Sequence, residues 1–178
     1  TLKRMLRRYT VAELLQKVAL MREAVPGVAL STDIIVAFPG ETDAEFRETL
    51  DLMRTVRFDE AYTYKYSLRD GTPSARLPAE EFVGAEEAQA RLEELIELSR
   101  GITAEINAGE VGRVEEVLIE RAGRREGQVL GHTRRHKVVS FEGDVSRVGE
   151  YTRVELCHTS GATFGGSEVT AAPAAATA

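Results

Sequence analysis

An uninterrupted apolar segment followed by Pro-Gly constrains the fold of this chain more than any other feature. Residues 34–38 are IIVAF, with no polar alternation, and Pro39-Gly40 follows at once. Such a strand is typical of a parallel sheet covered on both faces. Thr42 and Glu45 then form a capping-box pattern, which predicts that a helix begins just after the turn. The segment therefore predicts a strand–turn–helix unit of an α/β protein.

A second capping-box pattern, Thr10 with Glu13, precedes apolar residues at helical spacing and predicts a helix over residues 10–25. Beyond the second helix, the segment DEAYTYKYSLRDGT alternates between apolar and polar residues and predicts another strand. Its tyrosine stripe, which begins at Tyr62, is interpreted as sheet packing.

Strand, helix and strand with short connections form a βαβ unit, which leaves its functional loops at the carboxyl ends of the strands. We therefore expect a ligand-binding edge formed by the turn after Phe38 and the loop after Tyr66.

The rest of the chain divides by composition. Residues 80–105 carry eight acidic residues against Arg91 and Arg100, which predicts a helix with a solvated acidic face. After Gly109, glycines and about five short β-like segments predict a small closed or half-closed barrel of the oligonucleotide-binding kind. Low-complexity residues 170–178 are expected to be disordered.

The 178-residue chain contains one cysteine, Cys157, which is interpreted as a small buried hydrophobe. One thiol excludes an internal disulfide framework and any metal cluster that needs several thiolates from this chain. The three histidines, which begin at His132, are expected at the surface. No apolar run reaches the length of a membrane span, so the sequence predicts a soluble cytoplasmic protein.

A basic cluster in the predicted barrel points to RNA. The net charge of the chain is −6, yet residues 124–137 carry five lysines and arginines against Glu126 alone. Such residues neutralise phosphates and supply sequence-independent affinity for nucleic acid. Phe141 could stack on a base, but its place in an apolar pattern favours core packing. The predicted RNA-binding cluster is Arg124, Arg125, Arg134, Arg135 and Lys137.

Five ordered motifs resemble the methylthiotransferases of the radical S-adenosylmethionine superfamily. The resemblance is strongest to the type that adds a methylthio group to isopentenyladenosine beside the anticodon of tRNA. The motifs are LKRMLRRYT, TDIIVAFPGET, FDEAYTYKYSLRDGTPSA, INAGEVGRVEEVLIE and GHTRRHKVVSF.

The resemblance implies a partial radical S-adenosylmethionine (β/α) barrel at residues 1–78 and a helical connector at residues 79–107. A TRAM domain, an RNA-binding β-barrel, is implied at residues 108–169. The family uses S-adenosylmethionine and [4Fe-4S] clusters, whose cysteine motif has no counterpart in this chain. The resemblance therefore implies an inactive fragment whose partners are tRNA and the missing amino-terminal portion of the enzyme.

The resemblance also implies site residues. Ile35, Ala37, Tyr66 and Ser67 match the cofactor side of the barrel, and Ala37 replaces a glycine that the family usually shows. Arg69 matches a position that the family usually fills with arginine, beside the substrate.

Three alternatives remain open from the sequence. A relative that modifies threonylcarbamoyl-adenosine, or an aspartate of a ribosomal protein, would share the barrel and change the substrate. A non-catalytic RNA-binding protein would keep the TRAM domain beside a degenerate barrel. The basic turns favour RNA over a protein substrate.

Overall fold

A computed structural model describes residues 1–169 and divides the chain into two compact units. The first unit is Thr1–Ile102, and the second begins at Thr103. The first contains helices and a parallel sheet, and the second contains a closed barrel. The predicted combination of an α/β part and a small all-β barrel is confirmed, whereas residues 170–178 lie outside the described part.

The first helix, α1, spans Val11–Ala24 and begins where its capping box predicts. The Thr10 hydroxyl accepts the Glu13 N–H at 3.2 Å, and the Glu13 carboxylate accepts the Thr10 N–H at 2.7 Å. Two backbone donors that the first helical turn leaves unpaired are thereby satisfied.

The central βαβ unit consists of β1 (Ser31–Val36), α2 (Asp43–Val56) and β2 (Glu60–Lys65). The two strands are parallel, with Ser31 opposite Glu60 and Val36 opposite Lys65. Complete coverage of β1 was expected and is only partly found: Val36 is fully buried, but Ile34 and Ile35 are half-buried. The reason is that this sheet has two strands within residues 1–169, so much of β1 lies at a sheet edge.

A long acidic helix, α3, spans Ala85–Ala108 and follows two short 3-10 helices at Pro73–Arg76 and Ala79–Glu81. It begins after Gly84, and Gly101 does not interrupt it. Leu95 is fully buried, and Ile102 is nearly so. The helix therefore packs through an apolar stripe and leaves its acidic face in water.

Five strands form the closed barrel of the second unit. In spatial order they run β3-β4-β5-β7-β6, with β6 returning to pair with β3. All pairings are antiparallel except that of β5 with β7. This arrangement confirms the small closed barrel that the glycine-rich segments predicted. The strands are β3 Val114–Ala122, β4 Gln128–Thr133, β5 Val138–Glu142, β6 Tyr151–Thr159 and β7 Thr163–Glu168.

Alternating residues fill the interior of this barrel, as small barrels require. Phe141 is 2% exposed, which confirms core packing over base stacking. Gly131 lets β3 and β4 approach closely, since a Cβ there would lie 2.1 Å from the Leu118 carbonyl oxygen. The buried cluster is Val117, Ile119, Val129, Val139, Phe141, Val154, Leu156 and Phe164.

Cys157 lies on the outer face of the barrel. The expectation that Cys157 is buried is wrong: its thiol is exposed, because the alternation of β6 points Val154 and Leu156 inward and Cys157 outward. Within residues 1–169, no helix has the length and apolar character needed to cross a membrane.

Candidate functional site

The carboxyl ends of β1 and β2 come together where the sequence predicts a ligand-binding edge. The Tyr66 N–H donates to the Val36 carbonyl at 2.9 Å and extends the pairing beyond the strands. The ring of Tyr66 contacts Phe38 edge-on, with 5.1 Å between the ring centroids. Ala37 and Pro39 in the turn are buried. The turn is thus a packed part of the first unit.

Ala37 adopts the left-handed conformation, with φ +59°. This conformation is unfavourable for residues with a Cβ and favours glycine, the residue that the resemblance leads one to expect here. The Ala37 N–H donates to the Glu41 Oε2 at 2.7 Å, and both groups are buried. The Ala37 N–H is therefore already hydrogen-bonded within the turn and is not available to a cofactor.

A buried ion pair connects the turn after β1 to helix α3. Arg91, on α3, donates from Nη1 to the Glu41 Oε2 at 2.9 Å and to the Glu41 carbonyl at 3.0 Å. Both side chains are almost completely buried, and the guanidinium lies 5.5 Å from the Phe46 ring centroid. Arg91 also pairs with Glu87, one helical turn away. Burial of both charges is tolerated because each is paired and hydrogen-bonded.

Glu41 and Arg91 were not predicted as site residues from the sequence. The signal was present, since Glu41 directly follows Pro39-Gly40, and Arg91 interrupts the acidic stretch between Glu80 and Glu97. Neither pattern identifies the partner, because fifty residues separate the two side chains.

The tyrosine stripe is not simple sheet packing. Tyr62 and Tyr64 are 46% and 51% exposed on the described part of the chain. Their register partners on β1 are Asp33 and Ile35, so these four residues share one face of the sheet. Hydrogen bonding and charge from Glu60 raise the pKa of the Tyr62 phenol, which favours its neutral form.

The predicted cofactor-side and substrate residues differ in environment. Ile35 is half-buried, and Ser67 and Arg69 are exposed. Tyr66 is half-buried, and its hydroxyl is buried without a hydrogen-bond partner in the described part. A buried unpaired hydroxyl is costly, so it is a natural contact point for a ligand. The Thr72 hydroxyl donates to the Arg69 carbonyl at 2.8 Å and fixes the loop that presents Arg69.

A cavity of about 580 Å³ lies in the first unit beside β1. Ile34, Leu14 and Phe58 supply apolar walls, and Arg7 and Asp33 supply charges. Within residues 1–169, β1 pairs with β2 alone, so its other edge is open.

The structure places the residues of the predicted basic cluster on two loops of the barrel. Arg124 and Arg125 lie in the loop between β3 and β4, whereas Arg134 and Arg135 lie in the loop between β4 and β5. These loops flank opposite ends of β4, a six-residue strand, which corresponds to a separation of roughly 20 Å.

The two loops also differ in the state of their charges. Arg134 pairs with Glu116 at 2.8 Å, and Arg135 pairs with Glu110, whose side chain is 5% exposed. Lys137 is buried, which argues against direct RNA contact.

The hairpin loop between β3 and β4 presents free charges instead. Arg124 and Arg125 are exposed, as is Arg121 near the end of β3. Within residues 1–169 none of these three side chains has an ion-pair partner. Arg121 was not predicted from the sequence, because it lies within a strand and outside the basic run.

Histidine and cysteine do not form a metal site in the described part. Residues 1–169 contain no group of three or more His, Cys, Asp or Glu side chains placed to hold a metal ion. His132 instead contacts Glu120, with 2.8 Å between Nδ1 and Oε2, and stacks on His136.

The barrel and its basic hairpin define the class of the second unit. Residues 109–159 match the family model described as "TRAM domain", so this part of the chain is a TRAM-domain barrel. Over nearly its whole length the chain is also similar to curated proteins named tRNA-2-methylthio-N(6)-dimethylallyladenosine synthase. The resemblance to methylthiotransferases drawn from the motifs is thereby confirmed.

Three relatives illustrate the extent of the match. The protein from Chlorobium luteolum is 44% identical over 93% of this chain and 37% of its own length. The Acetivibrio thermocellus protein is 44% identical over 87% of the chain and 32% of its own length. The Clostridium botulinum protein is 39% identical over 94% of the chain and 37% of its own length. The chain thus spans about a third of the length of the curated relatives it matches.

Proposed function

We propose that this chain is the carboxyl-terminal part of a cytoplasmic tRNA methylthiotransferase that modifies dimethylallyladenosine, also called isopentenyladenosine, beside the anticodon. The observation that carries the proposal is similarity to synthases of that name over 93% of the chain, across both units. Similarity confined to the TRAM domain would support RNA binding alone, since folds and modules are shared among functions.

The residues at the end of β1 fit a role beside S-adenosylmethionine. Ile35 and the buried turn at Ala37 offer an apolar wall suited to an adenine ring, and the unpaired Tyr66 hydroxyl offers a polar contact. Bound there, S-adenosylmethionine would supply the radical and the methyl group. Glu41 and Arg91 hold the turn in place, and Ser67 and Arg69 lie on the exposed loop that follows β2.

The described residues do not fit an iron–sulfur cluster. Such clusters are held by several thiolates, and this chain has the single exposed Cys157. The proposal therefore assigns the [4Fe-4S] ligands to an amino-terminal portion of the protein beyond this chain.

The proposed tRNA contact is the hairpin loop between β3 and β4. In oligonucleotide-binding barrels the loop between the first and second strands takes part in binding, and here that loop carries Arg124 and Arg125. With Arg121 it offers three unpaired positive charges, whereas Arg134 and Arg135 already pair with glutamates. We therefore expect the hairpin loop to contribute more phosphate contacts than the loop between β4 and β5.

The RNA-binding part of the proposal is tested with the whole chain and unmodified tRNA across a salt series. Replacing Arg121, Arg124 and Arg125 by alanine should weaken binding and reduce the dependence of log K on log salt by about 2–3 units. A control that loses the same charge replaces three exposed arginines of the first unit, Arg47, Arg54 and Arg100. Equal losses in the two variants, or no binding by the unaltered chain at low salt, would contradict the proposed role of the hairpin loop.

The catalytic part is tested in the organism that encodes the chain. Deleting the gene should leave dimethylallyladenosine without its methylthio group when tRNA nucleosides are analysed by mass spectrometry. Unchanged levels of this group, with its loss from threonylcarbamoyl-adenosine or from a ribosomal protein, would assign a different substrate.

A further inference from the structure

A row of aromatic and apolar side chains crosses the outer face of the TRAM barrel. Leu118 on β3 lies opposite Tyr151 on β6 and opposite His132 on β4. The neighbours of Leu118 along β3, Val117 and Ile119, are fully buried, so Leu118 and its register partners point outward. Tyr151 is 64% exposed, which makes it the most accessible aromatic residue of the row.

A pair of stacked imidazoles extends the row. The rings of His132 and His136 lie 4.6 Å apart at an interplanar angle of 17°. His136 has φ +60°, a left-handed conformation that is uncommon outside glycine and enriched in histidine, asparagine and aspartate. Its N–H donates to the Thr133 carbonyl at 2.9 Å, so the turn between β4 and β5 fixes the stack.

Two carboxylates close to this row are engaged within the barrel. Glu120 contacts His132, and Glu116 pairs with Arg134 at 2.8 Å. Glu155 lies further along β6, opposite Val114.

The unpaired charges beside Tyr151 are positive. Arg153 lies two residues further along β6 on the same face, opposite Glu116, and it is exposed. Arg121 lies three residues beyond Leu118 toward the hairpin loop. Neither arginine has an ion-pair partner within residues 1–169. An exposed aromatic ring flanked by free guanidinium groups matches single-stranded RNA, because bases stack on the ring and phosphates pair with the arginines.

We propose that the row Tyr151–Leu118–His132, with His136 stacked at its end, is a platform on which bases of single-stranded RNA stack. The inference rests on the proposed RNA binding of the barrel and adds the binding mode and the face. A strand bound at the hairpin loop by its phosphates continues along β3 and places a base on Tyr151. Affinity from this face depends on the presence of bases and tolerates their identity, since every base has a π surface.

The test compares two oligoribonucleotide probes of about 10 nucleotides, a length within the site size of one such barrel. One probe is oligoadenylate, and the other is an abasic ribose-phosphate chain of the same length. Tyr151→Ala in the whole chain should weaken oligoadenylate binding by roughly 5- to 150-fold and leave abasic binding unchanged. Tyr151→Phe should retain the affinity, and Tyr64→Ala, which removes an exposed tyrosine of the first unit, should match the unaltered chain.

A second variant tests the histidine stack without disturbing the turn. His136→Asn keeps a residue type that tolerates φ +60° and shortens the platform, so we expect a smaller loss on oligoadenylate alone. Equal affinities of the unaltered chain and Tyr151→Ala for oligoadenylate would overturn the platform, as would equal losses on both probes. In the first outcome the exposed face would be available to a protein partner instead. Absence of oligoadenylate binding by the unaltered chain would instead contradict the proposed RNA binding itself.

Discussion

The guanidinium of Arg91 donates to both the carboxylate and the backbone carbonyl of Glu41, fifty residues earlier in the chain, at 2.9 and 3.0 Å. The same carboxylate oxygen accepts the N–H of Ala37 at 2.7 Å. One buried oxygen thus connects the end of β1, the turn after it and helix α3. The turn that offers an apolar wall to the proposed cofactor is held by a side chain from the acidic helix.

Breaking this pair from one side is expected to be costly. Arg91→Met should lower the free energy of unfolding of the first unit by about 3–5 kcal/mol, because it leaves a buried carboxylate unpaired. Arg47→Met is the matched control, since Arg47 is 53% exposed and its pair with Glu94 should contribute no more than about 1 kcal/mol. Urea unfolding followed by the helical circular dichroism signal measures both variants.

The double variant Arg91→Met with Glu41→Gln separates the loss of the pair from the loss of packing. Because the second change removes the stranded charge, it should recover part of the stability that Arg91→Met alone removes. A double variant less stable than Arg91→Met alone would contradict the view that the unpaired charge of Glu41 causes the loss.

The backbone conformation of Ala37 makes a separate prediction. Glycine at position 37 removes the strain of an alanine in the left-handed conformation, which is about 1–2 kcal/mol. It also removes a buried methyl group and raises the conformational entropy of the unfolded chain, and these two losses of stability are together of similar size. Ala37→Gly should therefore leave the free energy of unfolding nearly unchanged. Ala90→Gly, at an exposed position within α3, should lower it by about 1 kcal/mol. Equal losses at the two positions in the same urea experiment would contradict strain at Ala37.

Features that depend on neighbouring residues were predictable from the sequence. Both capping boxes form as expected, because Thr10 with Glu13 and Thr42 with Glu45 are three residues apart and reach only local backbone donors. Glycine-rich turns between short alternating segments likewise predicted the barrel, because turn chemistry and a period of two are both local signals.

Features that depend on topology were not predictable in the same way. Arg124 and Arg134 are ten residues apart and belong to one basic run of the sequence. In the structure, strand β4 lies between them, so their loops are at opposite ends of that strand. Spacing likewise could not pair Glu41 with Arg91. The prediction that Cys157 is buried was wrong because it rested on residue type, since free cysteine is among the most buried residues, whereas the face of a strand is set by the parity of the position.

A contact between β6 and β7 predicts a dependence of stability on pH. Glu168 on β7 accepts a hydrogen bond from Thr152 on β6 and pairs with Arg147 at 3.0 Å. The Thr152 hydroxyl and then the Arg147 guanidinium lower the pKa of Glu168 from 4.5, although burial opposes this change. Because the pKa of Glu168 is lower in the folded state than in the unfolded state, the ionised carboxylate stabilises the barrel at pH values above the unfolded-state pKa. This contribution is lost as the pH falls through the folded-state pKa.

We therefore expect the barrel to lose stability as the pH falls below about 5, and Glu168→Gln to reduce the loss. Near pH 7 the variant should be less stable than the unaltered chain, because the ionised carboxylate makes the stronger contacts. The difference should shrink on acidification, as measured by urea unfolding at each pH. Glu155→Gln, at an exposed carboxylate of β6, is the control and should leave the pH profile unaltered. If Glu168→Gln instead followed the same pH profile as the unaltered chain, the contact between β6 and β7 would contribute nothing to acid sensitivity.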